Sequence, residues 1–138
     1  MEVSKEEKLR VILDSNFLFV PFQFQVDIFE ELANLLNQRF EPIILSSTLR
    51  ELWGLAKSDF SKEQKQALLA LKLAERCRVV SVEKGFGESY DDVIVRVASE
   101  WKIPVATNDK ELRRRLRSLG LPLIFLRQKR RLILQGSV

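Results

Sequence analysis

No histidine occurs in the 138 residues, and Cys77 is the single cysteine. The first absence excludes a Ser-His-Asp or Cys-His nucleophilic arrangement, an imidazole general base and an ordinary zinc centre. The second excludes an internal disulfide and a cysteine-rich metal site. Cys77 sits in "LKLAERCRVV", at the end of a helix-like stretch, where a partly buried structural thiol is expected rather than a nucleophile. No run approaches the roughly 18 apolar residues that a bilayer span requires. The opening "MEVSKEEKLR" is charged and has no apolar signal core. The expectations are no membrane and a cytoplasmic location. Any chemistry must run on carboxylates, lysine, hydroxyls or a bound ion.

What is present fits one domain over 1–138, with a core of about 9–127 and a basic tail at 127–138. Hydrophobic residues make up 46% and charged residues 30%, enough apolar material to build a core without staples. The net charge of +4 is unevenly spread: residues 110–138 hold nine basic side chains and one acid, while residues 1–50 hold five and eight. A basic end beside an acidic front points to a polyanionic partner.

Strand-like and helix-like segments alternate. Short apolar runs occur at 9–14 ("LRVILD"), 41–46 ("EPIILS"), 78–82 ("RVVSV"), 103–107 ("IPVAT") and 121–126 ("LPLIFL"), with "RLIL" at 131–134 as a further short strand. Helical spacing appears over 24–38, 48–57, 61–76, 91–101 and 109–119. This order predicts an α/β fold with a central, mainly parallel five-stranded sheet and helices on both faces.

Acids stand where strands end and helices begin: Asp14, Glu51, the pair Asp91-Asp92, and Asp109. Each has an ordinary structural reading. Asp14 suits a turn after the first strand, and Thr48 and Glu51 have capping-box spacing. Asp91 or Asp92 suits an N-cap, and Asn108 and Glu111 repeat the capping relation with Asp109 near the helix dipole. The joint pattern carries more. Strand ends of a parallel sheet collect at one edge, so these acids can meet there. Clustered carboxylates repel one another and are costly to desolvate unless a cation arrives. Hard oxygen ligands favour Mg²⁺ or Mn²⁺.

"VILDSN", "STLREL", "SYDDVIVRVA" and "VATNDKELRRRLR" resemble, in order, the four acidic motifs of the PIN domain, a metal-dependent ribonuclease fold. The likeness spans about residues 11–127. "KGFGESYDD" and "VATNDKELRRRLRSLGLPLIFL" are similar to the branch of ribosomal-RNA-processing endonucleases and their archaeal relatives, with VapC-type toxins more distant. The resemblance implies catalytic, metal-holding roles for Asp14, Glu51, Asp92 and Asp109, with Asp91 as the alternative to its neighbour. It implies supporting roles for Asn16 and Thr107, and more weakly for Glu111. The implied partners are RNA, and further a second copy of the chain, a small antitoxin or a ribosome-assembly partner.

Lys110, Arg113, Arg114, Arg115, Arg117, Arg127, Lys129, Arg130 and Arg131 are the candidate RNA-phosphate contacts, set against the plainer reading of a solvated helix face. Phe17, Phe19, Phe22 and Phe24 suit core packing or a lid, with base stacking or a dimer contact as the sharper alternative. Trp53 and Trp101 lie on apolar stripes and are expected in the core. "DSN" lacks the second acid of an aspartyl phosphatase or response receiver. A noncatalytic RNA-binding or assembly module is the serious alternative to an enzyme.

Overall fold

A computed structural model of the chain describes residues 8–138, so most of the charged opening segment lies outside the described residues. Strand β1 (Leu9–Leu13) runs at the centre of the sheet. It leads into a 3-10 turn (Ser15–Phe19), a short helix α1 (Val20–Phe24), helix α2 (Ile28–Leu36) and strand β2 (Phe40–Leu45). Helices α3 (Ser46–Ala56) and α4 (Ser61–Ala74) precede strand β3 (Arg78–Val80). Helix α5 (Tyr90–Trp101), strand β4 (Val105–Ala106), helix α6 (Lys110–Ser118) and strands β5 (Leu123–Arg127) and β6 (Arg131–Gln135) complete the order.

The sheet runs β3-β2-β1-β4-β5-β6, parallel throughout except for β6, which returns antiparallel to β5. Six strands therefore stand where the five core runs were counted, because "RLIL" folds back on "LIFLR" through a turn with Gln128 and Lys129 both at positive φ. The parallel strands carry period-two alternation that feeds two cores. Val11, Leu13, Ile44, Ala106 and Ile124 face Leu32, Leu52, Ala70 and Ala74 of α2, α3 and α4. Ile12, Ile43, Leu45, Val105 and Leu123 face Val93, Ile94, Val97 and Ala98 of α5 and Leu112 and Leu116 of α6. Helices thus cover both faces, as the pattern of apolar runs predicts.

Local starts differ from the sequence reading in instructive ways. The helix expected over 24–38 is split. Gln25 adopts φ 56 and ends α1, and Asp27 then caps a fresh start by accepting from Glu30 N at 3.1 Å. The Thr48–Glu51 capping box does not form, because α3 already begins at Ser46 and Thr48 is buried within its first turn. Trp53 is a correction: it is 52% exposed, since α3 buries Ser47, Thr48, Leu52 and Ala56 instead. Trp101 is partly buried against the second core, with the Arg10 guanidinium 4.9 Å over its ring. Phe17 is fully buried, Phe19 and Phe24 pack against the first core, and Phe22 remains 39% exposed. Cys77 is partly buried, and burial pushes its thiol up to about 12, which makes it inert. Among the described residues no helix is long and apolar enough to cross a membrane.

Candidate active site

The five parallel strands all end at one edge, and β1 and β4 lie side by side at its middle. Asp14 is the first residue beyond β1, and its N–H donates to Ala106 O at 3.0 Å, which locks it to the end of β4. Its side chain is 97% buried, an unusual place for a carboxylate. Oδ1 accepts from Ser15 N at 2.8 Å, starting the 3-10 turn, and Oδ2 accepts from Thr107 Oγ1 at 2.7 Å.

Thr107 is the hub of the β4 end. Its hydroxyl also lies 3.3 Å from Asn16 Oδ1 and accepts from Asp109 N at 3.0 Å. Asn16 Oδ1 in turn accepts from Asn108 N at 3.0 Å, and Asn108 Oδ1 accepts from Leu126 N at 2.8 Å on β5. One small polar network therefore fixes the ends of three strands relative to one another. Asn16 and Thr107 hold positions beside Asp14 and Asp109, where the motif resemblance puts them.

Asp109 is the N-cap of α6, accepting from Leu112 N at 2.9 Å, so its second oxygen stays outside the helix. Glu51 lies one turn into α3, partly buried, and takes a hydrogen bond from the Ser15 side chain. Ser15 went unnoticed in the sequence, where "DSN" drew attention only to its flanking residues.

The pair Asp91-Asp92 divides its work. Ser89, not either aspartate, is the N-cap of α5, and Asp92 closes a capping box with it: Oδ2 accepts from Ser89 N at 2.9 Å while Ser89 Oγ accepts from Asp92 N at 3.0 Å. Asp92 Oδ1 also pairs with Arg115 at 2.9 Å. Oδ2 thus closes the cap of α5 while Oδ1 ties that helix to α6. Asp91 is electrostatically coupled to the other acids: Asp109 raises its pKa after burial does, and Asp91 in turn raises Asp14 and Glu51.

The electrostatics agree with this division. Burial first, then repulsion from Asp91 and Glu51, pushes the Asp14 carboxyl up to about 7, against the lowering effect of the Thr107 hydroxyl. Glu51 and Asp91 are also raised, burial being the leading cause for each. Asp92 is lowered by its bond from the Ser89 backbone and by Arg115, and Glu111 by its pairing with Arg114. Burial and mutual repulsion thus set Asp14, Glu51 and Asp91 apart from the hydrogen-bonded, arginine-paired Asp92 and Glu111.

Among the described residues, no three acid or thiol side chains converge closely enough to grip a metal ion as they stand. The donor set nevertheless fits a hydrated hard cation. All its ligands are oxygens, and Mg²⁺ is commonly held by one or two carboxylates while keeping several waters. Asp14 is moreover a buried, hydrogen-bonded carboxylate repelled by Asp91 and Glu51, with no ion pair to a basic side chain among the described residues.

The basic segment resolves into two groups. On α6, Arg113 lies 4.5 Å over the Phe125 ring, Arg114 pairs with Glu111, Arg115 pairs with Asp92, and Arg117 donates to Gln135 Oε1 at 3.2 Å. These side chains are partly structural, and Glu111 pairs with Arg114 while its charge still reaches Asp91. Lys110, Arg127, Lys129, Arg130 and Arg131 are exposed. Because β5 ends at the same edge as β1 and β4, the turn bearing Lys129 and Arg130 flanks the acidic site. Positive charge thus rims a negative centre.

Comparison with known proteins follows the same lines. Residues 11–129 match the family described as PIN like domain. Ribonuclease VapC4 of Methanocaldococcus jannaschii is 33% identical over 132 residues, which cover 94% of this chain and 98% of that protein. The rRNA-processing protein FCF1 of Saccharomyces cerevisiae is 31% identical over 118 residues, covering 83% of this chain and 58% of the yeast protein. Among solved structures, the PIN domain endonuclease Utp24 superposes with a TM-score of 0.79 at 29% identity, covering 98% of this chain and 97% of that one. VapBC2 from Rickettsia felis, solved with a DNA fragment from its promoter, shares the fold alone, with a TM-score of 0.58 at 17% identity over 86% of this chain and all of that one. With the family match over residues 11–129 and VapC4 33% identical over nearly its whole length, this chain belongs to the PIN-like domain family.

Proposed function

We propose that this protein is an endoribonuclease that hydrolyses RNA phosphodiester bonds with the help of Mg²⁺ or Mn²⁺. The observation that carries the reading is the buried Asp14 at the carboxyl edge of the sheet, repelled by Glu51 and Asp91 and bonded to the Thr107 hydroxyl that also accepts from Asp109 N. Asp14, Glu51, Asp91 and Asp109 are the residues that would hold the ion. Bound there, it would polarise a phosphoryl oxygen and lower the pKa of an attacking water, which removes any need for histidine.

The rest of the work falls to the chain. The Thr107 hydroxyl fixes Asp14 and the Asp109 backbone in one arrangement, so the acids do not reorganise as substrate arrives. Ser15 orients Glu51 from the opposite side. The exposed cations at 127–131 and Lys110 would draw the RNA backbone across the edge, a sequence-independent attraction that offsets the repulsion between phosphates and the acidic centre. The names of the relatives, ribonuclease and rRNA-processing protein, support RNA as the substrate.

Two roles suit such an enzyme, one like that of ribonuclease VapC4 and one like that of the rRNA-processing protein FCF1. Cleavage of a ribosomal-RNA precursor fragment in preference to unrelated single-stranded RNA would point to the second. Indiscriminate cleavage, with growth arrest on expression, would point to a toxin.

Two further results are expected here. Asp91→Asn lowers the cleavage rate about 50-fold or more, an effect of several kcal/mol in the barrier. Asp92→Asn leaves the rate within about threefold and instead lowers thermal stability through the loss of its cap and ion pair. Equal losses of rate in the two variants would count against Asp91 as the ligand. The double change Lys129→Glu and Arg130→Glu is expected to weaken RNA binding about tenfold or more and to flatten its dependence on salt. An unchanged salt slope in a filter-binding titration would remove this turn from the interface.

A further inference from the structure

Phe86 is the most exposed large apolar side chain in the protein among the described residues, with its ring fully in solvent. It stands at the tip of the loop between β3 and α5, and that loop is tightly held. Ser46 Oγ donates to Val82 O at 3.0 Å and accepts from Val82 N at 2.9 Å. Gly85 N donates to Glu88 Oε1 at 2.6 Å, and Glu88 N donates back to Gly85 O at 3.1 Å. Arg96 of α5 then clamps both arms, donating to Glu83 O at 2.6 Å and to Glu88 Oε2 at 3.1 Å. Gly87, at φ +84, makes the turn that a side chain would strain.

Isolated apolar side chains on a surface are ordinary. A slack loop, however, lets such a ring fold onto nearby apolar surface, since burying phenylalanine is favourable. Here glycines on both sides and a guanidinium clamp hold it outward. The loop's position adds to this. Asp91 is five residues further along, so the two Cα atoms are at most about 18 Å apart, and both lie at the carboxyl edge. A protein partner would want a contiguous apolar patch. Phe86 instead has Lys84 and Glu88 beside it, with the Lys84 ammonium 5.7 Å over the Tyr90 ring. A single rigid aromatic face among polar and charged groups rather than apolar ones suits an unpaired base.

We propose that Phe86 is a stacking platform that positions an unpaired base of the RNA substrate a few nucleotides from the scissile bond. This rests on the ribonuclease reading and adds to it a requirement for locally single-stranded substrate. Phe86 acts as a positioning residue, binding substrate and transition state alike, so its loss raises KM and leaves kcat unchanged.

The test uses the full chain and an oligoribonucleotide carrying 2-aminopurine, whose fluorescence falls on stacking. Binding is followed in an Asp14→Asn background so that the strand survives, and cleavage is followed in parallel without that change. Phe86→Leu keeps the apolar bulk and removes the aromatic face. It is expected to weaken single-strand binding roughly 5- to 150-fold, the range for loss of one stacked base, and to abolish the quench. Phe86→Trp is expected to restore both. Cleavage by the unchanged chain together with equal affinity, quench and KM in Phe86→Leu overturns the stacking role alone and leaves the ring to a protein partner. Absence of RNA binding in every variant overturns it together with the nuclease reading.

Discussion

Asp14→Asn should lower RNA cleavage by about two orders of magnitude or more while the protein stays folded. The fold should survive because the amide can keep the local bonds. Its oxygen can accept from Ser15 N, and its NH₂ can donate to Thr107 Oγ1 once that hydroxyl turns toward Asn16 Oδ1, now 3.3 Å away. What disappears is the negative charge at the buried position that Glu51 and Asp91 repel. Initial rates on a labelled single-stranded RNA, with circular dichroism as the folding control, decide the matter. A folded variant cleaving within threefold of the unchanged protein would remove Asp14 from the chemistry.

The same substitution should stabilise the metal-free protein, by an amount that grows with pH. An ordinary aspartate titrates near 3.8, and in the folded chain Asp14 is pushed up to about 7. The folded state therefore holds this proton more tightly than the unfolded chain does. The associated stability is fully present below pH 3.8 and is lost as pH rises through 7. Its size is on the order of 4 kcal/mol, at about 1.4 kcal/mol per pH unit between the two values. For a chain of this length that corresponds to roughly 10 °C in Tm. The raised carboxyls of Glu51 and Asp91 act in the same direction.

Thermal melts in EDTA from pH 4 to 8 should show Tm falling toward neutral pH in the unchanged chain and a flatter profile in Asp14→Asn. Mn²⁺ at pH 7.5 should then raise Tm in the unchanged chain, because the ion binds the ionised, folded form. It should raise Tm little in the variant. Parallel profiles for the two proteins would mean that Asp14 is not the strained carboxyl.

The site's location was legible in the sequence because it follows from topology. Apolar runs of strand length, the first and fourth ending directly in an acidic motif, leave those acids at one sheet edge once the crossovers are parallel. Which of two adjacent aspartates faces the cluster was not legible. That depends on Ser89 taking the N-cap, which sets the helical phase, and on Arg115 reaching across from α6 to hold Asp92. Residues 25 to 27 hid the break between α1 and α2 because a left-handed Gln25 leaves no mark in hydrophobic spacing.

Trp53 shows a related limit. Its place in a helix was read correctly, but the buried face runs through Thr48, Leu52 and Ala56, which turns the neighbouring Trp53 outward. The basic segment was legible as charge and not as structure. Arg113, Arg114, Arg115 and Arg117 each have a local partner, and the exposed cations near the active edge are Lys110 and those at 127–131, the latter placed by the sixth strand.

Cleavage of a 5′-labelled, single-stranded RNA by the unchanged protein, measured first in EDTA and then with Mn²⁺ in excess, is the most direct examination of the acidic centre. The expected result is no internal cleavage in EDTA and restored cleavage on adding the ion, with Asp14→Asn silent in both. Undiminished cleavage in EDTA, or bound RNA left intact with Mn²⁺ or Mg²⁺ present, would contradict it.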